Sequence, residues 1–210
     1  MTLLFFSAIV LSLISCIFKY RKLHPLVIRY FVWFLLFYLL LECYGLYLSS
    51  HKIRNHWLYN LYIFIEFNFL NYIYIRTITA SRPRKIIKVF SLIFPLFFII
   101  NIAFIQGIYT FNTYSYVAGG AAVIVWTCMY FTELLSKPKF SSIIGQPLFW
   151  ISTGLLFFYL GNIPFYGMIN YLLKNHYGIV KNYFVIVLIL NVLKYSLYAV
   201  GFLCSKPKPN

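Results

Sequence analysis

Apolar residues along this chain gather in seven long runs, separated by short polar links rich in lysine and arginine. The runs are Thr2–Phe18, Leu26–Leu48, His56–Ile78, Val89–Gly107, Val117–Leu135, Leu148–Ile169 and Tyr183–Cys204. Each is close to the ~20 residues an α-helix needs to cross the hydrocarbon core of a bilayer. No run alternates apolar and polar positions as an outer-membrane strand does. In lipid a lone strand would leave its backbone N–H and C=O groups unpaired, so the pattern predicts helices. The expected architecture is all-α: a polytopic membrane protein, a seven-transmembrane-helix bundle over 1–204 with a short basic tail over 205–210.

The placement of lysine and arginine orients this bundle, because cytoplasmic links carry the excess. Counting Arg29 and Arg76 with their neighbouring links, the first, third and fifth links and the tail hold thirteen. The N-terminus and the second, fourth and sixth links hold four, and Lys194 lies within a helix. The N-terminus is therefore expected outside and the tail in the cytoplasm. The first run lacks a basic leader, and Leu13-Ile14-Ser15-Cys16 resembles a lipoprotein cleavage box only loosely. The basic Lys19-Tyr20-Arg21-Lys22 that follows prefers the cytoplasm, so an uncleaved first helix starting outside is expected. The implied location is a bacterial inner membrane, crossed several times.

Composition agrees with the pattern. Hydrophobic residues make up 62% and charged residues 10% of 210 residues, against roughly 45–50% and about 25% in a soluble domain. The net charge of +15 does not read as nucleic-acid binding, because the basic residues sit in the links, where they meet anionic lipid headgroups. The expected partners are the bilayer and a cytoplasmic or membrane protein. Cys16, Cys43, Cys128 and Cys204 lack metal-site spacing and read as small buried apolar residues. His24, His51, His56 and His176 are too dispersed for a metal site. No nucleotide loop, catalytic triad or metalloprotease motif is present, so neither an enzyme nor a cofactor is expected.

The chain has three acids, Glu42, Glu66 and Glu133, and all fall inside predicted helices. A charge near the bilayer centre costs at least ~2.5–3.5 kcal/mol unless paired or hydrated, so such residues face the bundle interior. At ~1.5 Å of rise per residue, Glu66 lies ~15 Å and Lys194 ~16–17 Å below the outer end of their helices. They share one level, as a buried pair would; such a pair either only fixes helix register or forms the centre of a ligand or ion site. Asn191, Lys194, Tyr198 and Gly201 make one stripe on the seventh helix, and Tyr59, Tyr62 and Glu66 one face of the third. Glu42, Asn60, Asn101 and Asn162 lie roughly 6–11 Å below the outer boundary, and together they predict a cavity in the outer half. The alternative for the asparagines is ordinary interhelical hydrogen bonding. Glu133, four residues before Lys137, reads as an interfacial charge, and Gly119-Gly120-Ala121-Ala122 as a close-packing surface.

Tyr59-Asn60-x-Tyr62-x-x-x-Glu66, Phe149-Trp150 and Asn191-x-x-Lys194-Tyr195 resemble features of uncharacterised seven-helix bacterial membrane proteins. Those proteins look like detached sensor halves of seven-helix histidine kinases. The resemblance implies ligand sensing or signalling to a partner. A small transporter or channel with a proton-coupled Glu66/Lys194 site is the alternative. The chain is also similar to microbial rhodopsins in helix number, external N-terminus and mid-helix lysine, which would make Lys194 a retinal Schiff base and Glu66 its counter-ion. The aspartate expected four residues before that lysine is Leu190 here.

The lysine and arginine bias makes a direct prediction. A reporter active only in the cytoplasm should work when fused after Asn210 and fail when inserted at Lys52–Arg54. The reverse result overturns the orientation.

Overall fold

The computed structural model describes residues 2–23, 25–136 and 143–205. His24, Lys137 and the tail beyond Ser205 lie outside the described residues. Seven α-helices carry the apolar runs: α1 Thr2–Phe18, α2 Phe31–Ser50, α3 His56–Thr77, α4 Ser81–Ile100, α5 Thr113–Leu135, α6 Pro147–Asn175 and α7 Tyr177–Leu203. No strand occurs among the described residues. A 3₁₀ segment, Leu26–Tyr30, leads into α2, and a π-turn, Asn101–Ile105, ends α4.

The helices outrun the apolar stretches. α4 begins at Ser81 instead of Val89 and takes in Arg82, Arg84, Lys85 and Lys88. α5 starts at Thr113, where the Asn112 side chain accepts a bond from Ser115 N. α6 runs on to Asn175, so the predicted link before α7 shrinks to His176. Hydropathy marks the part of a helix that prefers hydrocarbon, whereas the backbone ladder continues through polar residues at either end.

Among the described residues five segments are long and apolar enough to cross a membrane: Leu26–Ser50, Ser81–Ile105, Thr113–Leu135, Pro147–Asn175 and Tyr177–Leu203. α1 is apolar but shorter, and α3 is not among the five. The perimeter is apolar, with Leu92, Leu96 and Phe104 of the α4 segment exposed. A helical bundle with this surface is of the multi-pass membrane type.

α3 packs against α2, α4 and α5; α6 packs against α5 and α7; and α1 lies against α2 and α7. Glycines allow close approaches between helices. A Cβ at Gly119 of α5 would overlap the Phe67 ring of α3, and one at Gly154 of α6 would lie 3.1 Å from the Lys194 carbonyl of α7. In lipid such close packing replaces the hydrophobic drive that holds helices together in water. Pro164 cannot donate to the α6 ladder, and the Tyr183 hydroxyl of α7 donates to the nearby Gly161 carbonyl.

Two sequence readings change. Cys43, Cys128 and Cys204 are exposed on the perimeter and only Cys16 is buried. A small apolar side chain is tolerated as well facing hydrocarbon as facing protein. Glu133 does more than mark an interface. It accepts from Thr79 N at 2.9 Å, from Ala80 N at 3.1 Å and from the Thr79 hydroxyl. A carboxylate there satisfies free N–H groups at the start of α4 and complements the helix dipole.

Overpacking a site this tight should cost about 1–3 kcal/mol. Gly119→Ala is expected to lower the unfolding midpoint of the detergent-solubilised chain, and Phe67→Leu in the same chain to recover part of the loss. An unchanged midpoint for Gly119→Ala would mean that α5 does not rest on Phe67.

Candidate functional site

α3 is the polar spine of the bundle. Successive turns send polar groups inward, each to a different neighbour. Asn60 Nδ2 donates to the carbonyls of Ile108 (3.1 Å) and Thr110 (2.8 Å), and its oxygen accepts from Asn112 N (2.9 Å). Glu66 faces α7. Asn71 accepts from Trp126 Nε1 of α5 at 3.0 Å. The Tyr74 hydroxyl bonds Thr127 of α5 at 2.7 Å and Ser152 of α6 at 2.9 Å.

Glu66 Oε1 lies 3.8 Å from Lys194 Nζ, and both side chains are almost fully buried, at 3% and 2% exposure. The Lys194 ammonium also sits over aromatic faces, 3.9 Å from the Phe158 centroid and 4.6 Å from that of Tyr195. Desolvated cation–π contacts of this kind are worth about 2 kcal/mol. The ion-pair distance exceeds a hydrogen bond, so the ammonium keeps donor capacity toward the space beside it.

That space is a cavity of about 460 Å³. It reaches from Asn55 and His56, at the α2–α3 link, down to Glu66 and Lys194. Glu42, Tyr62 and Asn191 also line it. The hydroxyls of Tyr62 and Tyr116, on its wall and buried, have no hydrogen-bond partner among the described residues. On the far side of the ion pair lies a cluster of aromatic rings. Phe31 packs against Phe69 (4.9 Å), Tyr198 (5.7 Å) and Phe202 (5.9 Å). None of these four rings lines the cavity, whose floor is the charged pair and whose walls are aromatic.

Of the residues singled out in the sequence, Glu42, Tyr62, Glu66, Asn191 and Lys194 come together on this cavity. Tyr198 lies deeper, inside the aromatic cluster. Three asparagines expected at the outer cavity are used elsewhere. Asn60 pins the link between α4 and α5. Asn101 donates to Asn112, to Gln106 at 3.0 Å and to Ser115 at 3.2 Å, knitting the π-turn to α5. Asn162 donates to Phe158 O of its own helix at 3.0 Å. Depth alone does not give azimuth, and an amide side chain can be satisfied by nearby backbone as readily as by a cavity. Tyr38, Tyr116, Phe158 and Tyr166 were not singled out. Tyr38 carried one signal, its position one helical turn before Glu42. The others were hidden among 20 tyrosines and 23 phenylalanines.

Among the described residues no group of three or more His, Cys, Asp or Glu could hold a metal ion. No protein-family model matches the chain, and no curated protein or solved structure matches it.

The buried pair predicts non-additive mutants. Glu66→Gln or Lys194→Met alone should destabilise the bundle by about 3–5 kcal/mol, by stranding the other charge in low dielectric. The double variant should cost less than the sum, measured by unfolding titration in mixed micelles. Strict additivity would show that the two groups are not energetically coupled.

Proposed function

We propose that this chain is a non-enzymatic, sensor- or receptor-like module of the bacterial inner membrane. In this reading all seven helices span the bilayer, with the N-terminus and the α2–α3 link outside. The cavity then opens outward, and the basic links face the cytoplasm, where a protein partner could dock. α3 crosses despite its polarity because its polar groups are spent on neighbouring helices, not on lipid.

The observation that carries this reading is the shape of the cavity together with its floor. A ligand entering from the α2–α3 end reaches an ion pair and unpartnered tyrosine hydroxyls, with the cluster of Phe31, Phe69 and Phe202 on the far side of the pair. Pockets of roughly 300–1,000 Å³ with apolar walls and a few polar groups are typical ligand sites. The pair links α3 to α7, so a ligand that engages either charge alters a contact between two helices that extend toward the basic end. That is a physical route for a signal.

A second reading, a proton-coupled transporter, is favoured by one feature: an ionisable pair at the floor of a cavity. Flux in proteoliposomes separates the two, since a receptor binds without transport.

Filling the cavity tests both. A panel of small cationic, anionic, zwitterionic and neutral compounds should include at least one that raises the thermal midpoint of the purified chain. That response should vanish in Val187→Trp, which places bulk on the cavity wall, and weaken in the milder Ile169→Phe. Identical responses from the native chain and both folded variants would rule out ligand binding in this cavity.

A further inference from the structure

The ionisable groups on the cavity wall are unequally matched. Glu66 and Lys194 neutralise each other at the floor. Glu42, on α2, is within the field of Lys194 but makes no salt bridge with it. It lies one turn beyond Tyr38, about 6 Å further toward the α2–α3 link by helix rise. The Tyr38 ring is itself 5.9 Å from Lys194 Nζ. No lysine or arginine forms a salt bridge with Glu42 among the described residues. Its neighbours are hydroxyls: Tyr59 donates to Oε2 at a long 3.5 Å, and Tyr38 lies beside the same carboxylate. The cavity therefore holds two carboxyl side chains against one lysine, with the His56 imidazole at its α2–α3 end.

The surroundings of Glu42 suit a positive guest. Tyr38 and Tyr62 pack at 4.5 Å between centroids, and Tyr59 and Tyr166 complete an aromatic wall around the same space. Ring faces attract cations, and a carboxylate within an aromatic cage is the usual chemistry for holding an ammonium group. The protein already uses this environment once, where Lys194 rests on Phe158. The buried hydroxyls of Tyr62 and Tyr116 are free to accept from N–H donors of a guest.

We propose that the outer part of this cavity binds an organic ammonium group, with Glu42 as its counter-charge and Tyr38, Tyr59 and Tyr62 as its walls. The proposal rests on the ligand-cavity reading above and names the class of ligand. An apolar body attached to the ammonium would lie against Ile169 and Val187.

Three probes of similar size decide the matter: 2-phenylethylammonium, 2-phenylethanol and 3-phenylpropanoate. Each is titrated calorimetrically into the full chain in neutral-lipid nanodiscs, with empty nanodiscs subtracted. The ammonium compound is expected to bind best. Glu42→Gln should weaken it at least tenfold, while Glu42→Asp, which keeps the charge, should lose much less. Size-exclusion and circular dichroism profiles confirm that each variant is folded. If Glu42→Gln does not fold, competition between the ammonium and the alcohol on the native chain decides, with at least tenfold preference for the ammonium expected. Equal binding of ammonium and alcohol overturns the cation assignment but leaves the cavity reading standing. Preferential binding of the carboxylate, lost in Lys194→Met, overturns it in favour of an anion site. Absence of binding by all three also overturns it, and the cavity reading is then judged by the Val187→Trp and Ile169→Phe panel.

Discussion

A helix that carries Asn60, Glu66, Asn68 and Asn71 within four turns cannot face hydrocarbon. Putting α3 inside is the constraint from which the rest of the bundle follows. α2, α4 and α5 pack around it, and α7 meets it through Lys194. An inward polar group left unpaired in low dielectric costs several kcal/mol, so most of those on α3 are partnered. The neighbours supply those partners in order along the helix: the α4–α5 link to Asn60, Lys194 to Glu66, Trp126 to Asn71, and Thr127 with Ser152 to Tyr74. The contacts place α3 azimuthally as well as in depth.

Close packing does the remainder. Lipid tails are as apolar as leucine, so burial of apolar side chains gives helices little reason to associate inside a bilayer. Gly119 lets α5 settle on Phe67, and Gly154 brings α6 onto the backbone of α7 at Lys194. The second contact fixes the position from which the lysine side chain reaches the Phe158 ring and Glu66. The floor of the cavity is therefore built by a glycine on one helix, a lysine on a second and a carboxylate on a third.

Charge is sorted by sign and by place. The acid Glu133 ties α5 to the start of α4, beside the basic residues at that end. Glu42 and Glu66 line the cavity. The two ends of the bundle thus differ in chemistry. One is basic and filled by aromatic rings packed edge to face; the other admits a cavity whose wall carries carboxyl groups and tyrosine hydroxyls. The receptor-like role we propose rests on that asymmetry.

Much of this was legible in the sequence, for a physical reason. Apolar runs near the span of a bilayer force helices, because backbone polar groups have no other partner in lipid. So helix number, the inward polarity of Glu66 and Lys194, and their shared depth could be read from spacing and rise alone. Helix ends could not, because hydropathy is blind to the polar turns that extend α4 and α6. Nor could the members of the cavity. Depth counts residues along one helix, while lining a cavity depends on the angle at which that helix faces its neighbours. Asn60, Asn101 and Asn162 had suitable depth but found backbone or side-chain partners first. Tyr38, Tyr116 and Phe158 had nothing in their spacing to set them apart from the other aromatic residues. Only the packing of seven helices, set by glycine contacts and by the partners α3 requires, decided which aromatic rings surround the charges.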